Sequence, residues 1–300
     1  MKKKNLATRL KKSIPAYLLI FPLFAGLLVF AYFPAFDGLR LSFFQKEAGE
    51  TVFCGFDNFK RLFADEIFLN SIGTMFVLMI PKLIIGVVVP FIFAEMLFSV
   101  KSEKLQSAYR ILMLLPMLAP GVVTTLLWKA IYDPANGLMT ALVKLFGIKA
   151  QSGVIDWLGD PDLVIFSIIF MGFPWIGGTN VLIYLAGLNG ISSEAIESAK
   201  LEGTSVLQRI WKIDLPLLLG QIRYFLVFGI IGGLQDYSVQ VILTGGGPGY
   251  STYVPGYYMY HMAFMFNDKY YASTIGSILF IVILVITLIV NKATNKEVTE

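Results

Sequence analysis

Lys82 follows Pro81 inside an apolar run, and Asp236 stands between Gln235 and Tyr237 inside another. A charge at the centre of a membrane helix costs about 2.5–3.5 kcal/mol on insertion scales, so each of these needs a reason to be there. A third apolar run adds Trp175, Thr179, Asn180 and Tyr184. Asn180 and Tyr184 are four apart and share one helical face. Planar amides and carboxylates match the hydroxyls of a sugar, and aromatic faces cover the apolar side of its ring, so the set has the chemistry of saccharide recognition. The competing reading of the same residues is structural, with Lys82 and Asp236 as an ion pair or each serving helix packing.

Bond-making chemistry is not indicated. Cys54 and His261 are the single cysteine and the single histidine, which excludes an intrachain disulfide and a cysteine-based metal site. No nucleophile, base and metal constellation assembles, and neither a cofactor nor a catalytic residue is expected. The glycine run Gly245-Gly246-Gly247-Pro248-Gly249 lacks the Gly-Lys-Ser/Thr ending of a phosphate cradle and is followed by no helix start.

The elements that must carry the polar residues are membrane spans. Hydrophobic residues make up 56% of the 300-residue chain, charged residues 15%, and the mean hydropathy is +0.72; a soluble domain is about 25% charged. A span needs roughly 20 mostly apolar residues, and six stretches qualify: 14–36, 71–100, 107–132, 163–187, 216–243 and 272–290. Each is apolar around its whole circumference. The expected fold class is therefore an all-α polytopic membrane protein with six transmembrane helices. The expected organisation is a basic tail at 1–13, a six-span domain at 14–290 with a polar loop at 190–216, and a tail at 291–300.

Positive residues are retained in the cytoplasm. Lys2, Lys3, Lys4, Arg9, Lys11 and Lys12 precede the first span, Lys101, Lys104 and Arg110 crowd the second connection, Lys200, Arg209 and Lys212 lie in the fourth, and Lys292 and Lys296 follow the last. Both termini and the 190–216 loop are thus expected on the cytoplasmic side. The net charge of +4 is a topology signal and not a nucleic-acid footprint. The first apolar run is too long for a secretory signal and carries Pro22 and Pro34, so it is read as a retained span.

The polar loop spells two short helices and a hinge. Ser192 or Ser193 can cap the first, with Glu194 near its positive end. Ala195 and Ala199 share a face that lets another backbone approach, and Gly203 suits the left-handed position that ends a helix. Ser205 and Gln208 have capping-box spacing for a second helix bearing Leu207, Ile210 and Trp211. Leu215 precedes Pro216 and is biased away from helical geometry, so Pro216 is expected to open the fifth span. A helix resting on lipid headgroups would be basic and bulky, whereas Glu194, Glu197 and Glu202 make this one acidic. Docking to a soluble protein is the favoured reading.

Glu197-Ser198-Ala199, three residues, Gly203, nine residues and Ile213-Asp214-Leu215-Pro216 resemble the EAA loop of permease subunits in binding-protein-dependent ABC importers. Ser198 stands where Ala is usual, and Glu202 where Asp is common. Leu115-Pro116, Pro120, Trp128, Asp133-Pro134, Leu185-Ala186-Gly187-Leu188 and the run Leu243–Gly249 are similar to the carbohydrate, maltose-type branch.

The resemblance implies a coupling helix seated in a cleft of an ABC ATPase subunit, with Glu197, Ser198, Ala199, Gly203, Ile213, Leu215 and Pro216 at the joint. It also implies a homologous permease subunit as partner, as a heterodimer in preference to a homodimer, an extracytoplasmic solute-binding protein, and a sugar substrate. The setting it implies is the lipid of a bacterial cytoplasmic membrane, with no nucleic acid involved. Substrate contacts in that branch lie on the fourth to sixth spans. Gln235, Asp236, Tyr237, Asn180, Tyr184, Trp175 and Lys82 are the pathway candidates here. A pathway-facing Lys82 would favour an acidic saccharide. The rival reading is a secondary transporter driven by an ion gradient, which predicts internal repeats and interrupted helices around an ion site; no obvious repeat is found, and it leaves the docking loop without a purpose.

Overall fold

The computed structural model describes residues 6–147 and 154–295. Their elements run α1 (Leu6–Leu27), a π-turn at Leu28–Tyr32, α2 (Phe33–Leu41), β1 (Phe44–Glu47), β2 (Glu50–Phe53), α3 (Asp57–Phe63), α4 (Glu66–Phe98), α5 (Glu103–Leu114), α6 (Gly121–Ile131), α7 (Leu138–Leu145), α8 (Pro161–Phe170), α9 (Gly178–Asn189), α10 (Ser193–Leu201), α11 (Val206–Arg209), α12 (Leu215–Leu217), α13 (Leu219–Gln235), α14 (Pro255–Phe264) and α15 (Lys269–Asn295). The basic tail residues 1–5 and the C-terminal residues 296–300 lie outside the described residues. Two compact units are formed, one from residues up to Ala64 with Met259–Ile278, the other from Asp65–Tyr258 with Leu279 onward.

In the first unit, β1 and β2 pair antiparallel, with Phe44 opposite Phe53 and Glu47 opposite Glu50. This hairpin was not foreseen. Its two-residue turn is Ala48-Gly49, both at positive φ, the geometry that matches strand twist. Asn58 Nδ2 donates to the carbonyls of Ser42 at 3.2 Å and Phe44 at 2.7 Å, and Thr274 Oγ1 donates to Ser42 at 3.2 Å, which ties the hairpin base to α3 and α15. The span Ser13–Leu41 has no buried residue in its apolar window.

In the second unit, α4 is the central element. Asp65 caps it, its Oδ1 accepting from the backbone of Ile67 at 2.9 Å and of Phe68 at 3.3 Å, and its Oδ2 from the Tyr258 hydroxyl at 2.6 Å. Its lower half packs into a core of Ala94, Leu97, Val181, Tyr184, Leu185, Leu188, Leu218 and Phe225, drawn from α4, α9 and the start of α13. Gly229 and Gly233, spaced as in GxxxG, let α13 lie against α4: a Cβ at either would come within 2.4 Å of Leu83 or Met79. Small residues at that spacing are how membrane helices approach closely.

Three of the expected spans are not continuous helices, and in 216–243 the helix stops at Gln235 with Asp236 and Tyr237 outside it. The run 107–132 bends by 87° between α5 with its short 3-10 continuation and α6. Pro116 and Pro120 cause this, because each lacks an N–H and clashes with the preceding turn. The run 163–187 breaks into α8 and α9, separated by a turn in which Gly172, Trp175 and Gly177 have positive φ and the Phe173–Pro174 peptide is cis. Among the described residues, four helices are long and apolar enough to cross alone, or five if the bent pair counts as one span.

Candidate functional site

The breaks in the helices bring the polar residues together. A cavity of about 630 Å³ in the second unit is lined by Lys82, Gly86, Asn180, Tyr224, Gln235, Asp236 and Gln240 among apolar neighbours from α4 and α13. Asp236 is presented there because α13 ends at it, with the backbone turning extended at φ −72°, ψ 127°. Its Oδ1 accepts from the backbone N–H of Ser238 at 3.2 Å and from the Ser238 hydroxyl at 2.8 Å. Asn180 Nδ2 donates to the Gly86 carbonyl at 3.3 Å, which joins α9 to α4 at the cavity wall. Lys82 and Asp236 line the same space, but among the described residues no ion pair within 4.0 Å joins them.

Four of the seven pathway candidates thus share one cavity: Lys82, Asn180, Gln235 and Asp236. Tyr184 does not join them. It is fully buried, with ring centroids 5.6 Å from Phe91 and 4.8 Å from Phe225. Asn180 and Tyr184 both lie in α9 and share a face, but they sit one turn apart along it: Asn180, near its start, meets the cavity and Tyr184 meets the core. Trp175 sits in the break itself at φ 54°, its ring 5.6 Å from that of Phe170 and 5.0 Å from that of Phe173. Tyr237 lies against Gly256, where an added Cβ would meet its ring at 3.4 Å.

Gln240 is a lining residue that sequence reasoning missed. It is 2% exposed, and its Oε1 has no hydrogen-bond partner among the described residues. An amide inside an apolar run was the available signal. Tyr224 was missed as well; its face is set by α13 alone.

The loop has the expected form. Ser192 Oγ accepts from the Ala195 N–H at 3.3 Å, and α10 buries Ala199 while Glu197 and Ser198 stay exposed. Gly203 ends it at φ +72°. The Ser205 and Gln208 capping box is complete, with Gln208 N–H donating to Ser205 Oγ at 3.3 Å and Ser205 N–H to Gln208 Oε1 at 2.9 Å. Leu201, Val206, Leu207 and Trp211 are left exposed around it. One expectation fails: Leu215 is helical at φ −64°, ψ −45°. Ile210–Asp214 form a π-turn, and the wider turn leaves room for the Pro216 ring without forcing Leu215 out of the helix.

The family model described as binding-protein-dependent transport system inner membrane component matches residues 74–300. The chain belongs to this permease family. It is similar to the multiple sugar-binding transport system permease protein MsmF of Streptococcus mutans, at 32% identity over 272 residues, 89% of this chain and 91% of the relative. It is also similar to the probable ABC transporter permease protein YurN of Bacillus subtilis, at 29% identity over 290 residues, 95% of this chain and 98% of the relative.

Among solved structures, a bacterial ABC transporter involved in the import of the acidic polysaccharide alginate matches with a TM-score of 0.86 at 25% identity, covering 97% of this chain and 98% of that one. As a permease, the chain is a multi-pass membrane protein and a transport subunit; it is not an enzyme.

Proposed function

We propose that this chain forms half of the translocation pathway of an ATP-driven importer for a sugar or oligosaccharide. The cavity carries this reading. Amide groups of Asn180, Gln235 and Gln240, the Asp236 carboxylate and the Tyr224 ring supply hydroxyl partners and an apolar face among mostly apolar lining residues. The relatives' names, which include a trehalose/maltose and an arabinooligosaccharide permease, support a saccharide. A binding protein delivers the solute from outside, and a separate ABC ATPase hydrolyses ATP. Glu197, Ser198, Ala199, Gly203, Ile213, Leu215 and Pro216 form the joint through which closure of the ATPase moves the spans, an alternating-access change by rigid-body motion. Six spans with both termini cytoplasmic, and pairing with a homologous permease, complete the arrangement.

The cavity also supports an acidic saccharide. Lys82 is its one cation among the described lining residues, and it is not locked in an ion pair. The likeness to an alginate importer points the same way.

Uptake of labelled saccharide into proteoliposomes holding the assembled complex tests the proposal. Uptake is expected to require ATP inside and binding protein outside and to survive collapse of ion gradients. Uptake that ignores ATP and stops with an ionophore would support the ion-driven rival instead.

A further inference from the structure

Where the cytoplasmic loop meets α4, two carboxylates and a guanidinium are taken out of solvent. Arg209, the last residue of α11, donates from Nη2 to Glu95 Oε2 at 2.9 Å and from Nε to Asp214 Oδ2 at 2.8 Å. Its Cζ lies 5.4 Å from the centroid of the Phe98 ring. The side chains are 15%, 7% and 0% exposed for Arg209, Glu95 and Asp214. A surface ion pair contributes little and is tolerant of change, whereas a pair this buried demands its geometry. Glu95 and Asp214 also lie within reach of each other, and the guanidinium fork joins both acids.

The three residues come from three places. Glu95 is near the end of α4, Arg209 follows the Gly203 hinge and the Ser205 cap, and Asp214 closes the π-turn that leads into α12 and α13. The fork therefore binds the second helix of the loop both to α4 and to the run into α13. Lys82 lies thirteen residues before Glu95 on the same α4, about 20 Å away at 1.5 Å per residue. A push on the loop at one end of α4 would be felt at the cavity wall at the other only if loop and helix move together.

We propose that Arg209 is a positioning residue that locks the coupling loop to α4, so that α4 carries the loop's displacement to the cavity wall at Lys82. This rests on the reading of the loop as the joint with the ATPase. Without the fork, the ATPase can still bind and hydrolyse ATP, and the movement is lost between loop and helix.

The assembled transporter in proteoliposomes gives the test, with saccharide taken up per ATP hydrolysed as the readout. R209M strands two buried carboxylates and is expected to lower assembly. The neutral triple E95Q/R209M/D214N removes that repulsion without restoring the fork. It is expected to recover assembly and ATPase co-purification while uptake per ATP falls tenfold or more. R209K keeps the neutralising charge but not the planar fork; it is expected to assemble fully and lose threefold or more in the same ratio. A wild-type ratio in either the triple or R209K overturns the proposal, and R209K decides if the triple does not assemble. A Gly203→Val chain that keeps its ATPase and transports normally would instead sink the reading of the loop, whatever the Arg209 variants do.

Discussion

On the proposed reading, Lys82 is the residue on which substrate charge turns. It projects from α4 into a cavity shared with Asn180, Gln235, Asp236 and Gln240, and the only other charge among the described lining residues is Asp236. A neutral saccharide has hydroxyls for the amides and the carboxylate, and gains little from the ammonium that water would not give. A uronate gains a charge-assisted contact in a site of low dielectric. K82M should therefore reduce uptake of an acidic oligosaccharide about tenfold, about 1.4 kcal/mol, and change uptake of a neutral one of equal length by less than about twofold. Parallel competition assays with the two ligands measure this, and equal losses would remove Lys82 from selectivity.

On the same reading Gln240 contributes differently, as a buried amide oxygen without a hydrogen-bond partner among the described residues. Q240L should weaken uptake of either ligand by similar factors. These polar residues were legible in the sequence because a charge or amide in an apolar run stands out. Which of them face the same space was not, since Tyr184 has the same spacing logic as Asn180 and ends in the core.

The polar loop shows what local chemistry can and cannot specify. Gly203 at φ +72° has no atom of the described residues within 4 Å of where a Cβ would be, so a side chain there meets backbone strain and no clash with them. A β-branched residue held in that region costs about 1–3 kcal/mol, while Asn tolerates it. G203V should release the ATPase on purification while the permease stays in the membrane, and G203N should retain most of the binding; identical behaviour of the two would show that hinge geometry is not the determinant. S205A, which removes the cap of α11, should destabilise that helix by about 1 kcal/mol and read out as faster proteolysis between α10 and α11.

The loop was legible because caps, hinge and box are written within a few residues of one another. The helix breaks were not, since hydropathy alone ran 163–187 into one span. Pro174 with Gly172 and Gly177 carried the warning. The Arg209 fork was hidden for a different reason: Glu95 and Arg209 are 114 residues apart, and only the packing of α11 on α4 unites them.

At the scale of the whole molecule, the described chain leaves apolar surface that needs a cover. The span Ser13–Leu41 has mean hydropathy 2.3 in its apolar window and no buried residue there. Leu19 and Phe30 are more than four-fifths exposed, so every face of this helix is available to lipid or to another protein. Lipid satisfies such a surface as well as protein does, because helix association in a bilayer is driven by packing and not by the hydrophobic effect. A pathway is a different matter. A polar solute crossing beside Lys82 and Asp236 must be screened from lipid, since their exposed polar groups would otherwise have no partner.

A second permease-type chain is the economical screen, and symmetry leaves two options for it. In a homodimer the same cavity would be repeated about a two-fold axis, placing two copies of Lys82 and of Asp236 along one route. A homologous partner permits one charged cavity and a different facing wall, which suits an asymmetric oligosaccharide. Two differently tagged copies of this chain, co-expressed with the ATPase and a homologous permease, should therefore not co-purify with each other, whereas each should bring down the homologue in equal amount. Recovery of both tags in one ATPase-bound complex would establish the homodimer and require the pathway to accommodate paired charges.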